Sequence, residues 1–231
     1  MHVTAIVLAA GTGRRIGGAV AKTYLPIAGR PLVLRTLDRM FAAKSVTDAV
    51  LVVAAEEVPR CRAILAADSA LHERRISLQI GGLTRQQSAI CGLESVAPDT
   101  EIVIIHDAAR PFVSAALIDR CVEYAAEKGA VVVGLPVRDT IKIVGGDRLV
   151  RATPERSSLW EIQTPQVFQR ALIVAAHEQA ARDAVEVTDD AMVVERMGQP
   201  VYVIEGERSN FKITLPEDLW LAELMIREGR I

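Results

Sequence analysis

The sequence predicts an α/β protein: a Rossmann-like, mainly parallel sheet with helices on both faces and a small β-hairpin arm. Three observations predict it. Short Val/Ile-rich runs alternate with amphipathic segments along most of the chain. Those runs are apolar at successive positions, as strands buried on both faces are. Strand and helix signals take turns, which implies right-handed crossovers between parallel strands.

The elements follow in order. Residues 3–9 (VTAIVLA) read as a first strand and run straight into a glycine-rich loop. Residues 31–43 begin at Pro31 and place Val33, Leu37, Met40 and Phe41 on one helical face. Residues 48–54 are a second strand, and a helix at 57–67 carries Pro59 in its first turn. Residues 77–80 form a short strand ended by Gly81 and Gly82, before a helix at 84–96. A strand at 101–105, a helix at 115–127 and a strand at 130–136 continue the alternation. The rhythm then breaks. Residues 137–165 show β-type alternation around Gly145-Gly146-Asp147, which signals a hairpin. A two-stranded excursion has no core of its own, and packing on a second subunit is the preferred reading over folding back. Helices at 170–181 and 189–197, a strand at 200–204 and a last helix entered through Thr214-Leu215-Pro216-Glu217 complete the chain. The simplest partition is a single domain, 1–231, with a β-arm insertion at about 138–160.

Composition excludes several classes of function. The chain has 231 residues, half of them apolar, enough for a full core. Its 27 Lys+Arg nearly balance 29 Asp+Glu, so no global basic field marks a nucleic-acid binder. Cys61, Cys91 and Cys121 are odd in number and form no CxxC pair, against a disulfide scaffold or a zinc site. No apolar run reaches the length of a membrane span, and the first residues carry no signal-peptide pattern. A reducing, cytoplasmic setting is expected, with no nucleic acid or membrane as partner.

On parallel sheets, ligands sit beyond the carboxyl ends of the strands. Gly11 and Gly13 follow the first strand directly, where glycine lets backbone N–H groups approach a phosphate. A dinucleotide fingerprint would need Gly at Ile16, and no G-x-x-x-x-G-K-[ST] run is present. Arg14, Arg15 and Lys22 nearby suit a triphosphate better than a nicotinamide dinucleotide.

AAGTGRR, Lys22 and LPIAGRPL resemble the signature of nucleotidyltransferases that join an NTP to a phosphorylated sugar or polyol. GGLTRQQS (81–88), HDAARPF (106–112), PVRDT (136–140), QTPQ (163–166), TDD (188–190) and NFKIT (210–214) fall in the order seen in the 2-C-methyl-D-erythritol 4-phosphate cytidylyltransferase family. The resemblance spans essentially the whole chain. It implies that a phosphate oxygen of the polyol attacks the α-phosphorus of CTP and expels pyrophosphate. That nucleophile is already an anion, so catalysis reduces to positioning and charge neutralisation. A ring of Lys/Arg with Mg²⁺ is then expected inside a protein of near-zero net charge.

The resemblance implies these roles. Arg15 and Lys22 contact the triphosphate, and Arg156 and Lys212 complete the catalytic cations. Ala9, Ala10, Gly11, Gly13, Gly82, Arg85 and Ser88 bind the nucleotide, with Gly82 and Ser88 at the base. Asp107 is the metal ligand and, with Arg110, Thr140, Thr164 and Thr188, binds the acceptor. Thr140 and Arg156 reach across a homodimer. Read as residues, Arg110 either faces the acceptor phosphate or pairs with Asp107, and Arg85 either closes its loop or is a solvated helix-start charge. His106 reads as a packed loop residue, and Asp189 and Asp190 as a helix N-terminus. The chain departs from the family pattern at Ala21-Lys22-Thr23, where Pro-Lys-Gln is usual, and at Leu83, where Asp often follows Gly-Gly. A ribitol 5-phosphate cytidylyltransferase, a catalytically silent nucleotide-binding protein and a dinucleotide oxidoreductase are the competing readings. Ala10 and Ala108-Ala109 favour the erythritol acceptor over ribitol.

Overall fold

The computed structural model describes residues 1–11 and 21–230. Seven strands form the central sheet: β1 (Val3–Leu8), β4 (Asp48–Val53), β5 (Ile76–Ile80), β6 (Ile102–Asp107), β7 (Ala130–Pro136), β10 (Trp160–Gln169) and β11 (Tyr202–Glu205). Two small antiparallel pairs stand apart from it, β2 (Pro26–Ile27) with β3 (Arg30–Pro31), and β8 (Ile143–Val144) with β9 (Val150–Ala152). The helices are α1 (Leu32–Ala42), α2 (Val58–Ala66), α3 (Arg85–Glu94), α4 (Ala115–Lys128), α5 (Arg170–Arg182), α6 (Ala191–Arg196) and α7 (Pro216–Arg227).

The sheet order is β11-β7-β10-β6-β1-β4-β5. The pairs of β1 with β4 and β6, of β4 with β5 and of β11 with β7 are parallel, and β10 runs antiparallel to both neighbours. β1 shows why apolar runs make this sheet. Val3, Ala5 and Val7 pack on one face with α1 and α4, while Ile6 and Leu8 pack on the other with α3 and α5. A strand with helices on both sides must be apolar on both faces.

Two elements differ from the sequence reading. β6 continues through His106 to Asp107, so both residues lie on a strand rather than a loop. Residues 160–169 form a ten-residue strand in the middle of the sheet, where the sequence suggested only the return of the arm. Its register shifts between Gln163 and Gln166, and Pro165, which has no N–H to give a ladder, sits in that irregularity. The arm is β8 and β9, joined by a turn in which Arg148 N–H donates to the Gly145 carbonyl. A third apolar cluster, with Ile27, Leu32, Phe112, Ile213 and Ala222, seats α7 against the segment that carries Lys212. Among the described residues, no helix is long and apolar enough to cross a membrane.

Candidate active site

The carboxyl ends of β1, β5 and β6 open on one cavity of about 460 Å³. Leu8 to Gly11, Lys22, Thr23, Gly82 to Arg85, Ser88, Asp107, Ala109, Lys212 and Thr214 line it. The cavity lies where a parallel sheet leaves loops and helix N-termini facing a ligand.

One wall is backbone and small side chains. Ala9 N–H donates to the Val52 carbonyl at 2.7 Å, extending the β1–β4 pairing beyond Leu8. A Cβ at Gly81 would lie 2.6 Å from Ala10 Cβ and 2.8 Å from Ser88 Oγ, so only glycine lets this strand end pass so close. Thr84 then starts α3 with a capping box. Its Oγ1 accepts from Gln87 N–H at 3.1 Å, while Gln87 Oε1 accepts from Thr84 N–H at 3.2 Å and from Leu83 N–H at 2.8 Å. Leu83 is 99% exposed at the rim, its N–H already taken. The Ser88 hydroxyl donates to the Thr84 carbonyl at 2.9 Å, with the Gly82 carbonyl farther away at 3.4 Å.

The rest of the lining is charged. Lys212 Nζ lies 2.7 Å from Asp107 Oδ2, and Arg85 Nε lies 3.3 Å from Asp107 Oδ1. Arg85 Nη1 also reaches Asp190 Oδ2 at 2.7 Å. Lys22 Nζ donates to the Ile213 carbonyl at 2.6 Å. Burial opposes ionisation of Asp107, but Arg85, Lys212 and Arg110 outweigh it and hold its carboxyl well below the usual carboxylate range. Burial likewise opposes the charge on Arg85, and Asp190 with Asp107 more than restores it.

Behind Asp107 runs a chain of hydrogen bonds with one consistent direction. Asp107 N–H donates to Thr164 Oγ1 at 3.1 Å, and Thr164 Oγ1 lies 3.1 Å from His106 Nδ1. His106 Nε2 lies 2.9 Å from the Arg110 carbonyl, which only accepts. Nε2 therefore carries the proton and Nδ1 accepts from Thr164. Burial pushes the His106 imidazole down to about 4, which keeps it neutral. Asn210 closes the shell: its Nδ2 donates to the Thr164 carbonyl at 2.8 Å, and its main-chain carbonyl accepts from Arg110 Nη1 at 2.8 Å.

Nine residues singled out from the sequence meet in this cavity: Ala9, Ala10, Gly11, Lys22, Gly82, Arg85, Ser88, Asp107 and Lys212. Two stand behind it. Thr164 is buried under Asp107, and Arg110 neither lines the cavity nor forms an ion pair with Asp107 but holds the Asn210 segment. Thr140, Arg156 and Thr188 do not line it. Thr140 and Arg156 sit on the exposed arm region, where Arg156 Nη1 donates to the Arg138 carbonyl, and Thr188 is exposed ahead of α6. Gly13 and Arg15 lie outside the described residues. Asp189 does cap α6, accepting from Met192 N–H at 3.1 Å, but Asp190 turns to Arg85 instead. The sequence reading passed over Asn210, Gln166 and Asp190 as site residues; each acts through buried partners distant in sequence.

Comparison with known proteins identifies the relatives of this chain. A family model described as IspD, 2-C-methyl-D-erythritol 4-phosphate cytidylyltransferase, matches residues 3–228. The enzyme of that name from Symbiobacterium thermophilum is 44% identical over 227 residues, covering 98% of this chain and 93% of the relative. Its namesake from Desulforamulus reducens is 40% identical over 226 residues, covering 98% and 96%. The crystal structure of 4-diphosphocytidyl-2C-methyl-D-erythritol synthase from Anaerococcus prevotii superposes with a TM-score of 0.86 at 32% identity, covering 98% and 96%. That of the cytidylyltransferase from Thermus thermophilus has a TM-score of 0.79 at 34% identity, covering 98% and 100%.

Proposed function

This chain belongs to the 2-C-methyl-D-erythritol 4-phosphate cytidylyltransferase family, and we propose how its residues divide the work of that family's reaction. The reaction couples CTP to 2-C-methyl-D-erythritol 4-phosphate, giving CDP-methylerythritol and pyrophosphate for isoprenoid precursor synthesis. The observation that carries the division is the pairing of Arg85 and Lys212 with Asp107 in one cavity that Lys22, Gly82 and Ser88 also line.

Cytosine lies against the Ala9–Ala10 and Gly82 backbone. Ser88, its hydrogen already given to Thr84, accepts from the exocyclic amine of the base. Uracil would set a carbonyl oxygen against those lone pairs, so the same hydroxyl rejects UTP. The triphosphate extends over Gly11 toward Lys22, joined by Gly13 and Arg15. Lys212 meets the acceptor phosphate, and its bond to Asp107 keeps it in the cavity until the substrate arrives. The attacking oxygen needs no base, and the cations offset repulsion between the two phosphorylated molecules.

Asp107 is the one carboxylate lining the cavity, and no group of three or more His, Cys, Asp or Glu is placed to hold a metal among the described residues. Mg²⁺ is often held by one or two carboxylates plus substrate phosphates, so Asp107 is the residue that would hold it. The ion would neutralise phosphate charge.

The chain works as a single domain and as a homodimer. Ile141, Ile143, Val144, Leu149 and Val150 are all exposed on the arm, too apolar a ribbon to stand in water alone. Thr140 and Arg156, carried by that arm region, then serve the cavity of a second copy, with Thr188 on the acceptor side, while Arg110 supports the cavity from behind through Asn210. The cytoplasm, where both substrates and a reducing milieu are available, is its setting, consistent with three free cysteines. Incubation with CTP, Mg²⁺ and either polyol phosphate tests the assignment. Pyrophosphate release is expected to be faster with methylerythritol phosphate; faster turnover of ribitol 5-phosphate would overturn it.

A further inference from the structure

We infer that Asp190 is a positioning residue for catalysis: it clamps Arg85 so that the guanidinium fixes Asp107, and through it Lys212, on the cavity wall. The inference rests on the residue roles proposed above. Asp190 is 1% exposed and does not itself line the cavity. Its backbone is pinned to the sheet, because Gln166 Oε1 on β10 accepts from Asp190 N–H at 3.0 Å and from Ala191 N–H at 3.1 Å. Its Oδ2 takes Arg85 Nη1 at 2.7 Å, and its Oδ1 lies 3.4 Å from the buried His177 Nε2.

Arg85 is therefore held mainly from its buried side. Its contact with Asp107 is the longer one, at 3.3 Å, while Lys212 holds the other oxygen at 2.7 Å. The result is a line of alternating charge, Asp190–Arg85–Asp107–Lys212, drawn from four separate segments of the chain. Without the Asp190 carboxylate, Asp107 is the one anion left paired with the guanidinium among the described residues. A two-pronged Arg–carboxylate pair then forms in place of the single long contact. That pair competes with Lys212 for Asp107 and shifts both reacting-site groups. Stability alone does not require this buried pair, since well-packed apolar residues often serve as well or better.

Full-length wild type, Asp190→Asn, Asp190→Glu, Arg85→Gln and the Arg85→Gln/Asp190→Asn double variant are assayed for pyrophosphate release from CTP and methylerythritol phosphate. A wild type with no activity would refute the proposed function itself. With active wild type, Asp190→Asn is expected to lower kcat per folded molecule by about 100-fold, with acceptor KM changed less. Asp190→Glu recovers most of that loss, and the double variant is no slower than Arg85→Gln. A role in folding alone would lower Tm and leave kcat intact. The inference is overturned if Asp190→Asn keeps kcat within about threefold of wild type, or if the losses multiply in the double variant. Should Asp190→Asn not fold, the double variant, which leaves no unpaired buried charge, is compared with Arg85→Gln. Equal kcat supports the inference, and a further tenfold loss sinks it.

Discussion

Lys212 lies between Phe211 and Ile213, whose side chains pack under α7, so the chain can only send its ammonium the other way, toward Asp107. Removing it leaves a buried carboxylate short of one cation and, in the role proposed for it, takes a cation from the acceptor phosphate. Lys212→Ala is expected to lower kcat/KM for the acceptor by about 100-fold or more while changing the CTP KM by only a few-fold; initial-rate kinetics with each substrate varied will show it. His106 offers a test by pH. Its imidazole, with both nitrogens engaged in the buried chain to Thr164 and Arg110, is held down to about 4. Between that value and the ordinary 6.5 the unfolded chain binds the extra proton and the folded one does not. Stability therefore falls as pH drops from about 6.5 to about 4, by roughly 3 kcal/mol for this one group. Urea unfolding of wild type and His106→Gln across that window is expected to show the smaller slope in the variant. The flanking pattern of Lys212 was readable from the sequence. Asp190 was not, because Asp before a helix has an ordinary explanation as a cap, and only its partner 105 residues away reveals the other use.

The entry to α3 is where an element's own chemistry shapes the site. Thr84 and Gln87 cap the helix, and the same Gln87 oxygen ties down Leu83 N–H, which sets the path of the Gly81–Leu83 backbone along the cavity. Thr84→Ala is expected to cost about 1 kcal/mol of stability and to raise the CTP KM several-fold; Thr84→Ser restores both, as thermal melts and CTP titration will record. Gly81-Gly82 marked the end of the strand and the loop before this helix in the sequence; the nucleotide role of Gly82 and Ser88 came from the family resemblance, and the cap by Thr84 and Gln87 emerged only in the structure. β10 shows the opposite. Its segment WEIQTPQVFQ mixes polar residues with a proline, which argues against a central strand. The sheet accepts it because Pro165 falls at the register shift and because Gln163, Thr164 and Gln166 spend their side chains on Asn210, His106 and the start of α6. A strand whose inward positions are polar for the sake of distant loops has no apolar alternation to announce it.

At the scale of the whole molecule the two faces of the sheet supply stability and its carboxyl edge supplies chemistry. The arm belongs to neither, since Ile143 and Val150 stand exposed on a two-stranded ribbon. Placing charge there tests the association without touching the core. Ile143→Asp with Val150→Asp is expected to convert a dimer to monomers in light scattering and to lower activity at least tenfold, with far-UV circular dichroism unchanged. A wild-type monomer with full activity would remove Arg156 and Thr140 from any second copy's site.

Local pattern determined the apolar strands, the helices between them and the hairpin, because periodicity and turn chemistry act over a few neighbouring residues; the choice of cations rested on the motifs that the chain shares with its family. Tertiary structure alone decided that nine of the chosen residues share a cavity while Thr164 and Arg110 stand behind it, that β10 runs through the centre of the sheet, and that Arg85 answers to Asp190. Those outcomes depend on which buried polar groups find one another across a hundred residues of chain. A buried charge must take whatever partner the packing brings within reach, and the packing is a property of the whole fold.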